Sequence, residues 1–406
     1  MLRRLAVWAA NKVSTHLDRD GVLLFWVLRR LKVVVSTKVF ALVVRDVDVR
    51  EVLARHETFT VEPYERIPSV MGGDFVLGID AVAQHGRERG IIALGLRPED
   101  IGRVAKLAAE VARDRMAEAF HRGQIDIVAD LADPVLDQVV GEYLGTPGPG
   151  AGTLVNWSRL VFREVFINQE NDPHVRQAAM TAAGQMTTHL NDLIAARKLA
   201  VARHDPPTDV LGRLLQAQRD GRTDVTDSDI RRNLLGLAVA WIPNTSKTVA
   251  LAVDELLRRP EQFVGAQRAA REDDDLRLAA YVFEALRFRP QNLGILRRCA
   301  HDHRLASGAM IRSGALVLAV TKSAMMDGDA IDAPRGFRLD RRWGEYLHFG
   351  YGFHTCAGEQ LSRAVIPALI KPLLQQNELH RARGRSGRVS WKGPYPGGLT
   401  VDLTTR

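Results

Sequence analysis

The chain has 406 residues, 46 % apolar and 26 % charged, the balance of an ordinary soluble globular protein long enough to bury one large core or two tightly packed lobes. Two cysteines exclude a disulfide framework and suggest a reducing compartment, the cytoplasm. The net charge of +8 favours an acidic partner, but no basic run is interleaved with aromatics, which argues against nucleic acid.

The first 32 residues begin with a basic run, but their apolar stretches are too short for a membrane span and no small-residue cleavage site follows. An amphipathic helix here is expected to pack on the fold, with peripheral contact to a bilayer as the alternative. Residues 33 to 47, rich in Val, predict strands, and a helical segment follows across 48 to 59. Ile101, Val104, Leu107, Ala108, Val111 and Phe120 recur at helical spacing, and helices continue to "GTPGPGAG" at 145 to 152. Two more are expected across 153 to 167 and 173 to 203, separated by the polar turn "NQENDPH", which suits a lid.

The longest helix starts at Thr226 or Ser228 as N-cap and is predicted to run about 32 residues, roughly 48 Å, to Pro260. Its middle, "LLGLAVAWIP", is apolar nearly all round and therefore buried, and Pro243 removes a backbone donor there. Residues 301 to 320 and the closing "VSWKGPYPGGLTVDLTT" read as hairpins.

Chemistry concentrates in "HFGYGFHTCAGEQLSR", residues 348 to 363, where Cys356 stands among Gly350, Gly352 and Gly358. A thiolate is a strong donor to a soft metal, and on haem iron it pushes electron density that helps cleave the O–O bond. Glycines let backbone N–H groups reach the sulfur and let the main chain pass close to a flat macrocycle, the role expected of Gly352 and Gly358.

The pattern Phe349-x-x-Gly352-x-x-x-Cys356-x-Gly358 resembles the haem-binding loop of the cytochrome P-450 family. Glu284-x-x-Arg287 in "YVFEALRFRP" is similar to the family's structural pair, "AMMDGDAIDAPRGFRLDRRW" to its meander, and "AVAWIPNTSK" falls where its long oxygen-activating helix should be. The resemblance spans roughly residues 70 to 400 in the right order. It implies a mainly α fold with small β-sheets, a single domain over 1 to 406 with a β-containing lobe to about residue 95 and a helical lobe beyond, and haem b with Cys356 as axial thiolate. His85 and Arg89, four apart, resemble the family's propionate pair, and Arg297 and His354 stand where further propionate contacts are expected, with Arg298 as an alternative register to Arg297. Phe349, Gly350 and Gly358 complete the implied haem contacts.

Two segments depart from the family pattern. The long helix carries Asn244 where an acid is usual and Ile242 where glycine is usual, although Thr245 keeps the alcohol. Asn cannot deliver a proton by ionising. The meander reads Pro334-Arg335-Gly336-Phe337, so its arginine is displaced to Arg338 or Arg341 and the lock around Glu284 and Arg287 is expected to be looser.

The function implied is insertion of one oxygen atom from dioxygen into a hydrophobic small molecule, with Thr245 and Asn244 above the haem and electrons from an external ferredoxin received at Arg341, Arg342 and Arg363. The alternative on the same fold is a peroxygenase or a fatty-acid hydroperoxide isomerase or lyase, and a haem sensor without turnover is a third. Substrate contacts are expected from residues 60 to 78, the lid, Ala240, Asn244, the segment 291 to 297 with Leu293, and the turn from Tyr395 to Leu399, all taken as largely apolar surfaces.

Overall fold

The computed structural model describes residues 23–200, 207–222 and 224–403. The expected surface helix of the first 32 residues therefore lies mostly outside the described part. Its described end is helical over 23–30, with Phe25 and Leu28 buried against Leu42, Val44 and Leu318.

The long helix is Asp227–Leu256, 30 residues. Thr226 caps it: its Oγ1 accepts from the Asp229 amide while the Asp229 carboxylate accepts from the Thr226 amide, so two backbone donors are satisfied at once. The helix stops at Leu256, earlier than Pro260, because Pro260 is spent as the first residue of the next helix, Pro260–Arg271, where its missing N–H costs nothing. Its apolar surface packs against Thr153–Phe162, Asp133–Leu144, Asp275–Phe288 and Glu359–Leu374, with one face left to a cavity. Ile101–Arg122 packs along Glu359–Leu374, presenting Val104, Ala108, Val111 and Met116, and Gly123 ends it in the left-handed region.

The β structure is small. A five-stranded sheet runs in the order Val35–Ser36, Phe40–Val43, Leu316–Ala319, Ile295–Cys299 and Phe59–Thr60. Only the Phe40–Val43 and Leu316–Ala319 pair is parallel. The sheet thus draws on residues near 40 and near 300, and alternation along Ile295–Cys299 sends Arg297 to one face and Arg298 to the other. Ser390–Lys392 and Tyr395–Gly398 form the expected hairpin, whose second strand lies against the long helix.

Candidate active site

The long helix, the Cys356 loop and the start of Glu359–Leu374 enclose a cavity of about 1720 Å³. Cys356 lines it from one wall and Ala240, Asn244 and Thr245 from the helix. Cys356 is exposed and lines this cavity. Burial pushes its thiol up, opposed by the Gly358 amide donating to the sulfur and by the nearby Arg89 charge. A bound cation reverses that balance, since a coordinating thiol gives up its proton.

The loop is held by its own backbone. Cys356 donates its amide to the Phe349 carbonyl at 3.0 Å, and Gly350 sits at φ 78, a conformation costly for other residues. Gly352 has another cause than the one expected. It is not in the cavity wall: at φ 74, a Cβ there would lie 2.8 Å from Ala54 Cα and 2.9 Å from the Leu53 carbonyl oxygen, so its glycine lets the loop lie against the helix Asp46–Ala54. Phe349, Gly350 and Gly358 do line the cavity.

His85, Arg89, Arg297 and His354 converge on the same space. Arg297 is buried with its Nε unpaired, and burial pulls its guanidinium below the usual range against the opposing pull of Tyr64 and Asp80. Arg298 turns away to Glu62 at 2.8 Å, whereas Arg297 lines the cavity. His354 donates Nε2 to Asp80 at 3.1 Å and leaves Nδ1 buried without a partner. His85 stacks on Phe353 at 4.0 Å, and burial, with His354 and Arg89 adding to it, takes its pKa down to about 4. Arg89 donates to the Thr355 carbonyl at 2.7 Å. The orphaned Nε–H of the buried Arg297 guanidinium is costly, and a buried carboxylate beside a macrocycle would satisfy it. The residues therefore fit haem, with Cys356 as the thiolate. Among the described residues no cluster of three or more His, Cys, Asp or Glu could hold a metal ion independently.

Behind the Cys loop, Glu284 and Arg287 have fully buried side chains and pair through two bonds of 2.8 and 2.9 Å. Arg287 also donates to the carbonyls of Met325, Pro334 and Gly336. Glu284 accepts from Tyr346 Oη at 3.0 Å and from Arg341 Nε at 3.1 Å. The expected looser lock is thus not seen, and Arg341, 1 % exposed, is withdrawn from any docking surface. Arg338 contributes only its backbone amide, its guanidinium facing Asp332 and Asp340 outside.

On the long helix, Thr245 is buried in the cavity wall and Ile242 is not part of it. Asn244 donates Nδ2 back to the Ala240 carbonyl at 2.7 Å. Leu293, residues 291 to 297, Tyr64, Phe75 and Tyr395 line the cavity as expected positions, whereas Leu399 is in the core. The walls are apolar in greater part, as expected, and Arg163, Lys247 and Arg388 also line the cavity, together with Trp391. No motif marks these residues, because they come from three separate elements that meet only in the fold.

A cysteine loop opening on a cavity beneath a long helix, backed by a Glu–Arg–Arg lock, defines a haem-thiolate oxidoreductase of the monooxygenase class. The chain belongs to the cytochrome P450 family, whose model matches residues 155–394. It is 27 % identical over 364 residues to nocardicin C N-oxygenase of Nocardia uniformis subsp. tsuyamanensis, covering 86 % of this chain and 85 % of the relative. It is 28 % identical to mycinamicin IV hydroxylase/epoxidase of Micromonospora griseorubida, over 82 % of this chain and 81 % of the relative. The crystal structure of CalO2 superposes with a TM-score of 0.81 at 23 % identity, covering 96 % of this chain and 97 % of the other, which establishes the fold. No described helix is long and apolar enough to cross a membrane.

Proposed function

We propose that this monooxygenase takes dioxygen as oxidant and electrons from an external acidic ferredoxin, with haem b held by Cys356 and its propionates by Arg297, His354, His85 and Arg89. The observation that carries this reading is the placing of Cys356 and of Asn244 with Thr245 in the walls of one cavity. Haem with a thiolate ligand supplies oxygen activation by electron donation from sulfur. The chain's part is to shield the sulfur, position substrate and deliver protons.

Proton delivery rests on Thr245 and ordered water, since Asn244 cannot ionise. Pro243 has no N–H to give the Val239 carbonyl one turn back, and Asn244 Nδ2 already occupies the Ala240 carbonyl. The Thr245 hydroxyl and the Asn244 Oδ1, both on residues of the cavity wall, are the groups placed to hold a water. Electrons are taken in at the face behind the loop, where Arg342 and Arg363 are exposed. The Arg363 guanidinium lies 3.8 Å over the Trp343 ring, and Trp343 packs on Phe349, whose carbonyl binds the Cys356 amide.

Asn244 in place of an acid favours a second reading, in which a peroxide or a lipid hydroperoxide is the oxidant and arrives already reduced. Product formation with ferredoxin, its reductase and NADPH is compared with formation from hydrogen peroxide or a lipid hydroperoxide alone. Turnover in the first mixture is expected. A protein inert with several competent redox partners and fast with a hydroperoxide sinks the dioxygen reading.

A further inference from the structure

Next to Thr245, three polar side chains that do not line the cavity meet. Ser246 is 1 % exposed and donates its hydroxyl to the Asp133 carboxylate at 2.7 Å. Arg159 donates to the Ser246 hydroxyl at 3.1 Å and to the same Asp133 oxygen at 2.8 Å, and its other terminal nitrogen lies 2.7 Å from the second carboxylate oxygen. Asp133 opens the helix Asp133–Leu144 and Arg159 lies in Thr153–Phe162, so one hydroxyl ties the long helix to two others. Arg159 is held in turn, since Tyr395 donates its hydroxyl to the Arg159 carbonyl at 2.9 Å.

The long helix has a weak point one turn before this cluster. Pro243 gives the Val239 carbonyl no donor, and its ring crowds that carbonyl, so the two halves of the helix are joined less firmly there. Asn244 and Thr248 turn their side chains back on the helix, to the carbonyls of Ala240 and Asn244, both at 2.7 Å. Those bonds tie the helix only to itself. Ser246 instead spends its hydroxyl on the neighbouring helices. Successive residues project about 100° apart around a helix, so a fixed Ser246 sets the direction in which Asn244 and Thr245 project from the cavity wall.

We propose that Ser246, Asp133 and Arg159 form a clamp that takes over from the backbone hydrogen bond lost at Pro243 and holds Asn244 and Thr245 in their orientation toward the haem site. All three are positioning residues. The inference rests on the haem-thiolate reading for what the clamp serves, and on the chain's own hydrogen bonds for how it holds. Its distinguishing property is dependence on Pro243: a helix with an unbroken backbone ladder would hold the same turn without Ser246.

The test compares haem-loaded wild type, Ser246→Ala, Pro243→Ala and the double variant. Ser246→Ala leaves Asp133 paired with Arg159, so no buried charge is orphaned and the protein should fold. Amide hydrogen exchange is followed by mass spectrometry over residues 237–249 and over the two partner helices. Ser246→Ala should speed exchange about tenfold across 240–247, as for loss of one hydrogen bond against local opening, and by less than about threefold once Pro243→Ala has restored the donor. The infrared stretch of carbon monoxide on the reduced haem reports the polar groups that face it. Its band should broaden or split in Ser246→Ala and narrow again in the double variant. Unchanged exchange, an equal acceleration with and without Pro243, or an unchanged carbon monoxide stretch in Ser246→Ala overturns the inference. A wild type whose reduced carbon monoxide complex lacks the thiolate absorbance band instead overturns the haem-thiolate reading, and the exchange rates still decide whether the clamp holds the helix.

Discussion

Arg341 donates its Nε to the Glu284 carboxylate at 3.1 Å, and both side chains are shut off from solvent. The guanidinium also donates to the carbonyls of Asp332, Ala333 and Gly336, so one side chain ties the meander to the helix Asp275–Phe288 that carries the buried pair. Removing Glu284 leaves the buried Arg287 and Arg341 charges without their shared carboxylate, at a cost of ~3 to 5 kcal/mol, whereas removing Arg341 leaves Glu284 paired with Arg287 and costs less. Glu284→Ala and Arg341→Ala are therefore expected to deplete folded protein and lower the urea midpoint. Arg338→Ala, which removes only exposed pairs, should leave the midpoint where it is. A Glu284→Ala protein that folds normally and carries full haem but does not turn over would show that the carboxylate is catalytic.

Gly352→Ala places a Cβ against Ala54 and the Leu53 carbonyl in a left-handed conformation, and no flexible side-chain end is there to move away. A loss of about 1 to 3 kcal/mol in stability is expected. The strain falls on the packing of the Cys loop on Asp46–Ala54, so haem should also dissociate faster. Absorbance after transfer to apomyoglobin measures that rate.

Cys299→Ser should leave haem ligation intact, because Cys299 is enclosed in the sheet core with its Sγ 3.0 Å from the His301 carbonyl. Cys356→Ser should abolish the red-shifted thiolate band of the reduced carbon monoxide complex. The reverse pattern of the two variants would remove Cys356 as ligand.

Much of this was legible in the chain because the signals are local. The helix period at Val104, Ala108 and Val111, the cap at Thr226 and the Cys356 loop each lie within one short segment, and local geometry reads out of spacing. Three things were not. The meander arginine could be placed only once Arg341 and Glu284, 57 residues apart, were seen to meet. The reason for Gly352 lies in Ala54, nearly 300 residues earlier. The cations that line the cavity at residues 163, 247 and 388 belong to no pattern with their sequence neighbours.

His348 should make the fold sensitive to mild acid. Its imidazole donates Nε2–H to the Phe283 carbonyl at 3.0 Å, and burial takes its pKa down to about 4, with the carbonyl and Glu284 opposing and Arg287 assisting. A folded pKa below the unfolded one means that the unfolded chain binds the proton more tightly. The stability contributed by neutral His348 is thus fully present above about pH 6.5 and is lost as pH falls toward 4. About 2 kcal/mol should be gone by pH 5 from this group. Urea midpoints at pH 7.5 and pH 5 measure it, and His348→Gln should flatten the slope between them. An unchanged slope would mean that the group titrates in the folded state as it does in the unfolded one.

Asn244 and Thr245 separate the two oxidants, because proton delivery to dioxygen needs an acid or ordered water, whereas a peroxide is already protonated. Asn244→Asp restores an ionisable group one residue before the alcohol, but it also gives up the amide donor now spent on the Ala240 carbonyl. If dioxygen is the oxidant, this variant should maintain or raise ferredoxin-driven turnover and waste fewer electrons. Thr245→Ala, which deletes the buried hydroxyl in the cavity wall, should divert electrons to free hydrogen peroxide, raising NADPH consumed per product several-fold. If a hydroperoxide is the oxidant, Asn244→Asp instead places a negative charge beside the O–O group and should slow turnover about tenfold or more, the cost of one lost polar contact to a developing charge. Product and peroxide are quantified together for both variants with each oxidant. Coupling that Thr245→Ala leaves unchanged, in a wild type driven by ferredoxin, would remove Thr245 from the proton path.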